Sequence, residues 1–211
     1  MSPVKPSVIV DVWSDYVCPY CFLEMPVLER IRSEHGSAVD IRWHAFELRP
    51  EPAPTLDPAG DYLKTTWARS VYPMAEERGM VLHLPPVQPR SRKAMEAAEF
   101  ARDAGCFEAM HDALFRAFFE EGRDLASTDV LVAIGHAQGL DGHALRTALE
   151  EGTYTDRVSR DQQEAQRLGI GGVPMMVVRR PDQPVHDGLA LSGAQPLAAV
   201  ARAVKRALTE G

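Results

Sequence analysis

Hydrophobic positions along the chain change their spacing three times, and each change predicts an element. Residues 8–13, Val-Ile-Val-Asp-Val-Trp, form a nearly continuous apolar run, the pattern of a strand covered on both faces. Phe22, Met25, Leu28 and Ile31 then recur three apart, which predicts a helix from Pro19 to about Glu34 with Gly36 as its stop. Pro26 lies inside that helix and, lacking an N–H, is expected to bend it. From Val39 to Leu48 the apolar residues Val39, Ile41, Trp43 and Ala45 alternate with mostly polar neighbours, predicting a second strand.

The segment from Arg49 to Pro58 carries four prolines, can continue neither strand nor helix, and marks a boundary. Beyond it the period is helical, with helices expected near Asp61–Arg78, Ser91–Ala104, Phe107–Glu120, Thr128–Gln138, Gly142–Glu150 and Thr155–Leu168. Ser91, Thr128, Asp141 and Thr155 stand where caps are wanted. After Gly169-Ile170-Gly171-Gly172 the strand pattern returns from Val173 to Arg179, and Leu189 to Gly193 is its expected antiparallel partner. Leu197, Val200, Ala201, Val204 and Leu208 share one face of a closing helix from Pro196 to Leu208. The order is β, α, β, then β, β, α, with residues 1–50 and 170–211 as two halves of one unit and 51–169 as a helical insertion.

Composition narrows the function classes. A chain of 211 residues with 45% hydrophobic and 25% charged positions has enough apolar sequence for a sizeable core. A formal net charge of −7 and the lack of a long basic run argue against nucleic acid as a partner. The apolar run near the amino terminus is too short and too polar for a signal-peptide core or a membrane span, so a cytoplasmic location without membrane contact is expected.

Three cysteines are too few for a disulfide framework. Cys18 and Cys21 lie three apart, directly after the first strand and at the start of the first helix, the context in which C-x-x-C reads as a redox pair. That spacing puts both sulfurs on one helical face, close enough to bridge without moving the backbone. At the helix start, unpaired N–H groups and the positive end of the dipole favour an anion, so Cys18 is expected to be the nucleophile. Cys21, one turn inward, is expected to resolve the mixed disulfide. Pro19 suits the first helical position because its φ is already helical. Zinc would need a second pair of ligands at comparable spacing, and none is present, so no metal is expected.

Ser14-Asp15 before Cys18-Pro19-Tyr20-Cys21, Phe46-Glu47-Leu48 with Pro50, Gly171-Gly172-Val173-Pro174, and Ser192-Gly193-Ala194-Gln195-Pro196 occur in this order across nearly the whole chain. In them the chain resembles the DsbA-family thiol-disulfide oxidoreductases, and within these the FrnE-like branch. The resemblance implies an α/β architecture, a thioredoxin-like fold with an inserted all-helical subdomain. It also implies Cys18 as attacking and Cys21 as resolving thiol, and Pro174 as a cis proline opposite them. Pro19, Tyr20, Val173 and Pro174 would then contact substrate, with the Val173 backbone docking an extended segment as a short added strand. Tyr20 stands where the best-known periplasmic relatives have histidine, so a less oxidising couple than theirs is expected. Pro-Tyr is also a glutaredoxin-like dipeptide, which makes glutathione a candidate co-substrate.

The resulting expectation is a thiol-disulfide oxidoreductase, monomer or homodimer, that needs no metal or organic cofactor. It would act on a disulfide-containing protein or small molecule, with glutathione or a thioredoxin-type protein as electron partner. The alternative on the same fold is a glutathione-dependent transferase or 2-hydroxychromene-2-carboxylate isomerase-like enzyme. Those relatives carry serine where Cys18 stands, and a noncatalytic binding module would have no need of an intact dithiol. Elsewhere, Cys106 reads as a small apolar side chain, and His44 and His111 as satisfied structural residues. Trp13 could wall the site, and Arg90, Arg92 and Lys93 read as a solvated patch before a glutathione carboxylate clamp.

Overall fold

The structure is a computed structural model that describes residues 5–209; the first four and last two residues of the two outer segments lie outside it. Strand β1 (Val8–Ser14) is buried along its whole length because it is the inner strand against both neighbours. It pairs in parallel with β2 (Val39–Ala45), Val10 opposite Ile41, and antiparallel with β3 (Met175–Arg179), Val10 opposite Val178. β4 (Leu189–Ser192) closes the far edge, giving the order β2-β1-β3-β4. One face of the sheet is covered by α1 (Pro19–His35) and α9 (Leu197–Thr209). There Val8, Val10, Val12, Met176 and Val178 meet Val27, Leu28, Ile31, Val200 and Val204. This is the thioredoxin-like α/β arrangement expected from the order of elements, and α1 runs unbroken through Pro26.

Between β2 and β3 lie α2 (Asp61–Thr66), a π-helical turn (Trp67–Val71), α3 (Tyr72–Glu77), α4 (Arg92–Asp103) and α5 (Phe107–Phe119). They are followed by α6 (Thr128–Ala137), α7 (Gly142–Glu151) and α8 (Thr155–Arg167). Their apolar faces build a second core around Phe115, Phe118, Phe119, Leu114 and Leu131, which also takes in Phe22, Leu23 and both cysteines from α1. The helix expected over Asp61–Arg78 is thus interrupted by a wider turn, and Pro73 supplies a physical reason. Proline has no N–H to give the carbonyl four residues back, so the ladder must re-form around that position.

Capping departs from expectation in a consistent way. Asp141 caps α7 through the His143 and Ala144 N–H groups, but α6 is capped by Ser127 rather than Thr128. Ser91 and Thr155 cap nothing: the Thr155 hydroxyl donates to buried Glu96 at 2.7 Å, and Ser91 turns to Asp15. Hydroxyls that local pattern assigns to helix ends are consumed by buried carboxylates. β2 likewise stops at Ala45 instead of Leu48: Phe46 N–H still reaches the Ser14 carbonyl of β1 at 3.0 Å, but the next two N–H groups leave the ladder, Glu47 donating to Gln162 and Leu48 to Asp15, each at 2.7 Å.

The other face of the sheet is fastened to α8 by charge. His44 Nε2 lies 3.0 Å from Asp11 and its Nδ1 3.5 Å from Asp161, while Arg179 Nε donates to the second Asp11 oxygen at 2.7 Å. Trp13, fully buried, stacks on the imidazole at 4.6 Å and so packs behind the sheet instead of walling a site. Burial works against the His44 charge, but hydrogen bonds to Asp11 and Asp161 outweigh it and raise the imidazole to about 9. An unfolded histidine titrates near 6.5, so this bridge contributes fully below that pH and is lost as pH rises through 9. The shift corresponds to roughly 3 kcal/mol. Thermal unfolding followed from pH 6 to 9.5 should therefore show a falling midpoint that His44→Gln abolishes while lowering the midpoint at pH 6. Equal slopes in the two proteins would sink this assignment.

Candidate active site

The link between β1 and α1 decides where the sulfurs go. Cys18 occupies the cap position of α1 with extended backbone (φ −93°, ψ 113°), and its carbonyl already accepts from Cys21 and Phe22 N–H at 3.1 and 3.3 Å. Pro19 follows as the first helical residue. No side chain caps this end; Pro19 brings no N–H, and the Cys21 N–H goes to the Cys18 carbonyl. The segment is held by Asp15, fully buried, whose carboxylate accepts from Val17 N–H at 3.2 Å and Leu48 N–H at 2.7 Å and bonds the Ser91 side chain. Burial pushes Asp15 up to about 6 despite these donors.

Both thiols are buried and not joined in a disulfide, Cys18 at 3% exposure and Cys21 at 1%. Burial pushes the Cys21 thiol well above its ordinary range, and the neighbouring Cys18 pushes it the same way; the Asp15 backbone and Ser14 side chain act in the opposite sense. Cys18 Sγ also donates to the Val173 carbonyl at 3.4 Å. The Val173–Pro174 peptide is cis, and Pro174 O accepts from Gly193 N–H at 2.8 Å, which anchors this loop to the end of β4. Among the described residues, no hydrogen bond engages the Val173 N–H.

In front of the sulfurs lies a cleft of about 280 Å³. Val17, Cys18, Pro19, Tyr20 and Val173 line it on the thioredoxin side, so four of the six residues singled out from the sequence come together there, while Cys21 and Pro174 are not among its lining residues. The opposite wall comes from the inserted helices and was invisible in the sequence: Tyr62, Leu63, Thr66 and Trp67, with Phe119 alongside. Tyr62 is 65% exposed and Leu48 37%, so apolar surface stands open to a ligand at the rim.

Arg49 also lines the cleft, and among the described residues its guanidinium makes no ion pair. The patch at Arg90, Arg92 and Lys93, by contrast, is fully engaged. Arg90 donates to the Arg49 carbonyl at 2.8 Å and pairs with Glu51, Arg92 pairs with Glu47, and Lys93 pairs with Glu96 at 2.8 Å. Cys106, half-buried before α5, is not among the residues lining the cleft. His44, Asp161 and Glu164 bring ligand-type atoms within 4.8 Å of one another, yet both His44 nitrogens face carboxylates, the geometry of an ion bridge. No helix among the described residues is long and apolar enough to cross a membrane.

Comparisons with known proteins agree with this geometry. The uncharacterized protein YwbO of Bacillus subtilis (strain 168) is 35% identical over 176 residues, covering 82% of this chain and 87% of the relative. A probable DsbA oxidoreductase from Streptomyces coelicolor superposes with a TM-score of 0.79 at 24% identity, covering 97% of this chain and 91% of the other. The cytosolic disulfide reductase DsbM of Pseudomonas aeruginosa does so with a TM-score of 0.70 at 20% identity, covering 94% and 98%. At such identities the superpositions establish a shared fold. Residues 9–205 match the DSBA-like thioredoxin domain, and with nearly the whole chain covered, this protein belongs to the DsbA-like thioredoxin-domain family.

Proposed function

We propose that this protein is a thiol-disulfide oxidoreductase of the FrnE-like kind, working through Cys18 and Cys21. The observation that carries the reading is the placement of two free, buried thiols at the uncapped amino end of α1, with Cys18 opening on a cleft. The Cys18 thiolate attacks a substrate disulfide, one substrate sulfur leaves as thiolate, and a mixed disulfide forms. Cys21 then attacks the Cys18 sulfur, the Cys18–Cys21 bond closes, and the second substrate thiolate departs, two electrons having passed to the substrate. Two equivalents of a reducing thiol return the pair to the dithiol. The retained Cys18 favours this over a transferase or isomerase reaction on the same fold.

An extended substrate segment would pair with the open Val173 N–H while its apolar side chains rest on Tyr62 and Leu48. Glutathione suits the same cleft as electron partner: its carboxylates are complementary to Arg49, and a structure of DsbM is described as holding GSH. A reducing compartment would supply it.

With oxidised hydroxyethyl disulfide as substrate and glutathione as reductant, Cys18→Ser should remove turnover altogether. With the disulfide alone and no glutathione, Cys21→Ser should stop at the mixed disulfide with the substrate half bound to Cys18, visible as a mass increase on the intact protein. Turnover by Cys18→Ser at the wild-type rate would refute the assignment. In the same assay Arg49→Ala should raise the KM for glutathione about tenfold with little change in kcat, as expected when a charge-assisted contact serves binding alone. An unchanged KM would remove Arg49 from the binding site.

A further inference from the structure

Resolution by Cys21 poses a problem that the cleft does not answer. The thiol must shed a proton, yet it is 1% exposed and is not among the residues lining the cleft. A second hollow, sharing no lining residue with the cleft, runs between Ser14, Tyr16, Ala45, Glu99, Arg102 and His111. Its volume of about 20 Å³ is room for a single water.

Two polar atoms on its lining residues are buried without a partner, Ser14 Oγ and His111 Nε2. His111 Nδ1 is 2.7 Å from the Tyr16 hydroxyl. Burial, with Arg102 adding to it, lowers His111 to about 3, and burial likewise keeps Tyr16 a phenol. A neutral imidazole carries one N–H. With the phenol proton donated to Nδ1, that N–H sits on Nε2, an unsatisfied donor. Such a buried group carries its full desolvation cost unless something bonds it. Ser14 Oγ makes no full hydrogen bond, but it lies near enough to Cys21 Sγ to favour a charged sulfur. One water accepting from His111 Nε2–H and bonding Ser14 would satisfy both groups and stand one hydroxyl away from the resolving sulfur.

We propose that this shaft holds one ordered water and that Ser14 and this water, positioned by His111, form the path by which Cys21 exchanges its proton with solvent. The inference rests on the dithiol function proposed above. As the Cys21 sulfur closes onto Cys18 and the second substrate thiolate leaves, the Cys21 proton passes to Ser14 Oγ and the Ser14 hydroxyl proton passes to the water. A proton of that water goes to solvent past Arg102, a partly exposed residue of the lining. The departing thiolate takes up a proton from the cleft, so charge balances. Ser14 and His111 are positioning residues, since neither touches substrate.

Stopped-flow reaction of the reduced protein with excess of a chromogenic aromatic disulfide separates mixed-disulfide formation, the first thiol released, from resolution, the second. Ser14→Ala and His111→Phe should leave the first phase at the wild-type rate and slow the second about tenfold or more, within the range of relayed proton transfer. Ser14→Thr, which keeps the hydroxyl, should recover the second phase, a rescue that a merely structural role would not produce. A second phase unchanged in both variants, or both phases slowed alike, would overturn the proposal. If Ser14→Ala does not fold, His111→Phe decides by the same criterion. A high-resolution crystal structure of the reduced protein should place a water between Ser14 Oγ and His111 Nε2, and a dry shaft would equally overturn it. Failure of the wild type to give any first phase would instead sink the dithiol function.

Discussion

Asp15 has been taken out of water completely, and what it receives in exchange organises the site. Its carboxylate binds the N–H of Val17 in the redox segment, the N–H of Leu48 beyond β2 and the Ser91 side chain at the head of α4. Three pieces of chain distant in sequence therefore meet at one anion, three residues before the helix cap, Cys18. Burial raises the group from an ordinary carboxyl value to about 6, so its charge at neutral pH costs on the order of 3 kcal/mol, relieved as pH falls below 6 toward 4. A cost of that size is tolerable where the alternative is orphaned backbone donors beside a reactive sulfur. It also explains why β2 ends early, since Leu48 cannot serve both the ladder and Asp15.

The same logic extends across the junction between sheet and insertion. The two large apolar cores are separate: one lies between the sheet, α1 and α9, the other inside the inserted helices, and the cysteines belong to the second. Besides the apolar contact of Phe22 and Leu23, ion pairs cross the junction. Glu24 meets Arg78, Glu47 meets Arg92, and His44 of β2 meets Asp161 of α8. Pairs of this kind contribute little net stability over apolar packing, but a wrong docking would strand a charge. We read them as fixing how the insertion sits over the sulfurs.

The legible part of the sequence was the part governed by local rules. Apolar period placed β1, α1, β2, β3, β4 and α9 to within a few residues, and the C-x-x-C spacing put Cys18 and Cys21 at the cap of α1. Long-range demand was illegible. Nothing near Ser91 or Thr155 in sequence reveals that a carboxylate 76 or 59 positions away claims its hydroxyl, so both were taken for caps. Arg49 looked like part of a proline-rich connector, while Arg90, Arg92 and Lys93 read as a solvated patch rather than an anion clamp. The structure pairs that patch with Glu51, Glu47 and Glu96 and puts Arg49 in the cleft. Pro73 alone could have warned of the π-helical turn.

That turn bears on how the site divides its work. Trp67 opens it, and Tyr62, Leu63 and Thr66 lie in the helix leading into it, so the wall facing Cys18 is built where the helical ladder is widened. Widened turns of this kind recur at functional positions because they re-aim side chains without breaking the helix. The sulfurs, their cap and the Val173 carbonyl are supplied by the sheet and α1, which bury them rigidly; the surface a substrate would meet opposite is supplied by the insertion. Changing Tyr62 or Trp67 alters a wall and leaves the helix end that holds Cys18 intact. Under the proposed dithiol function, reactivity would be set by one end of α1 and selectivity by a helix that joins it through the fold.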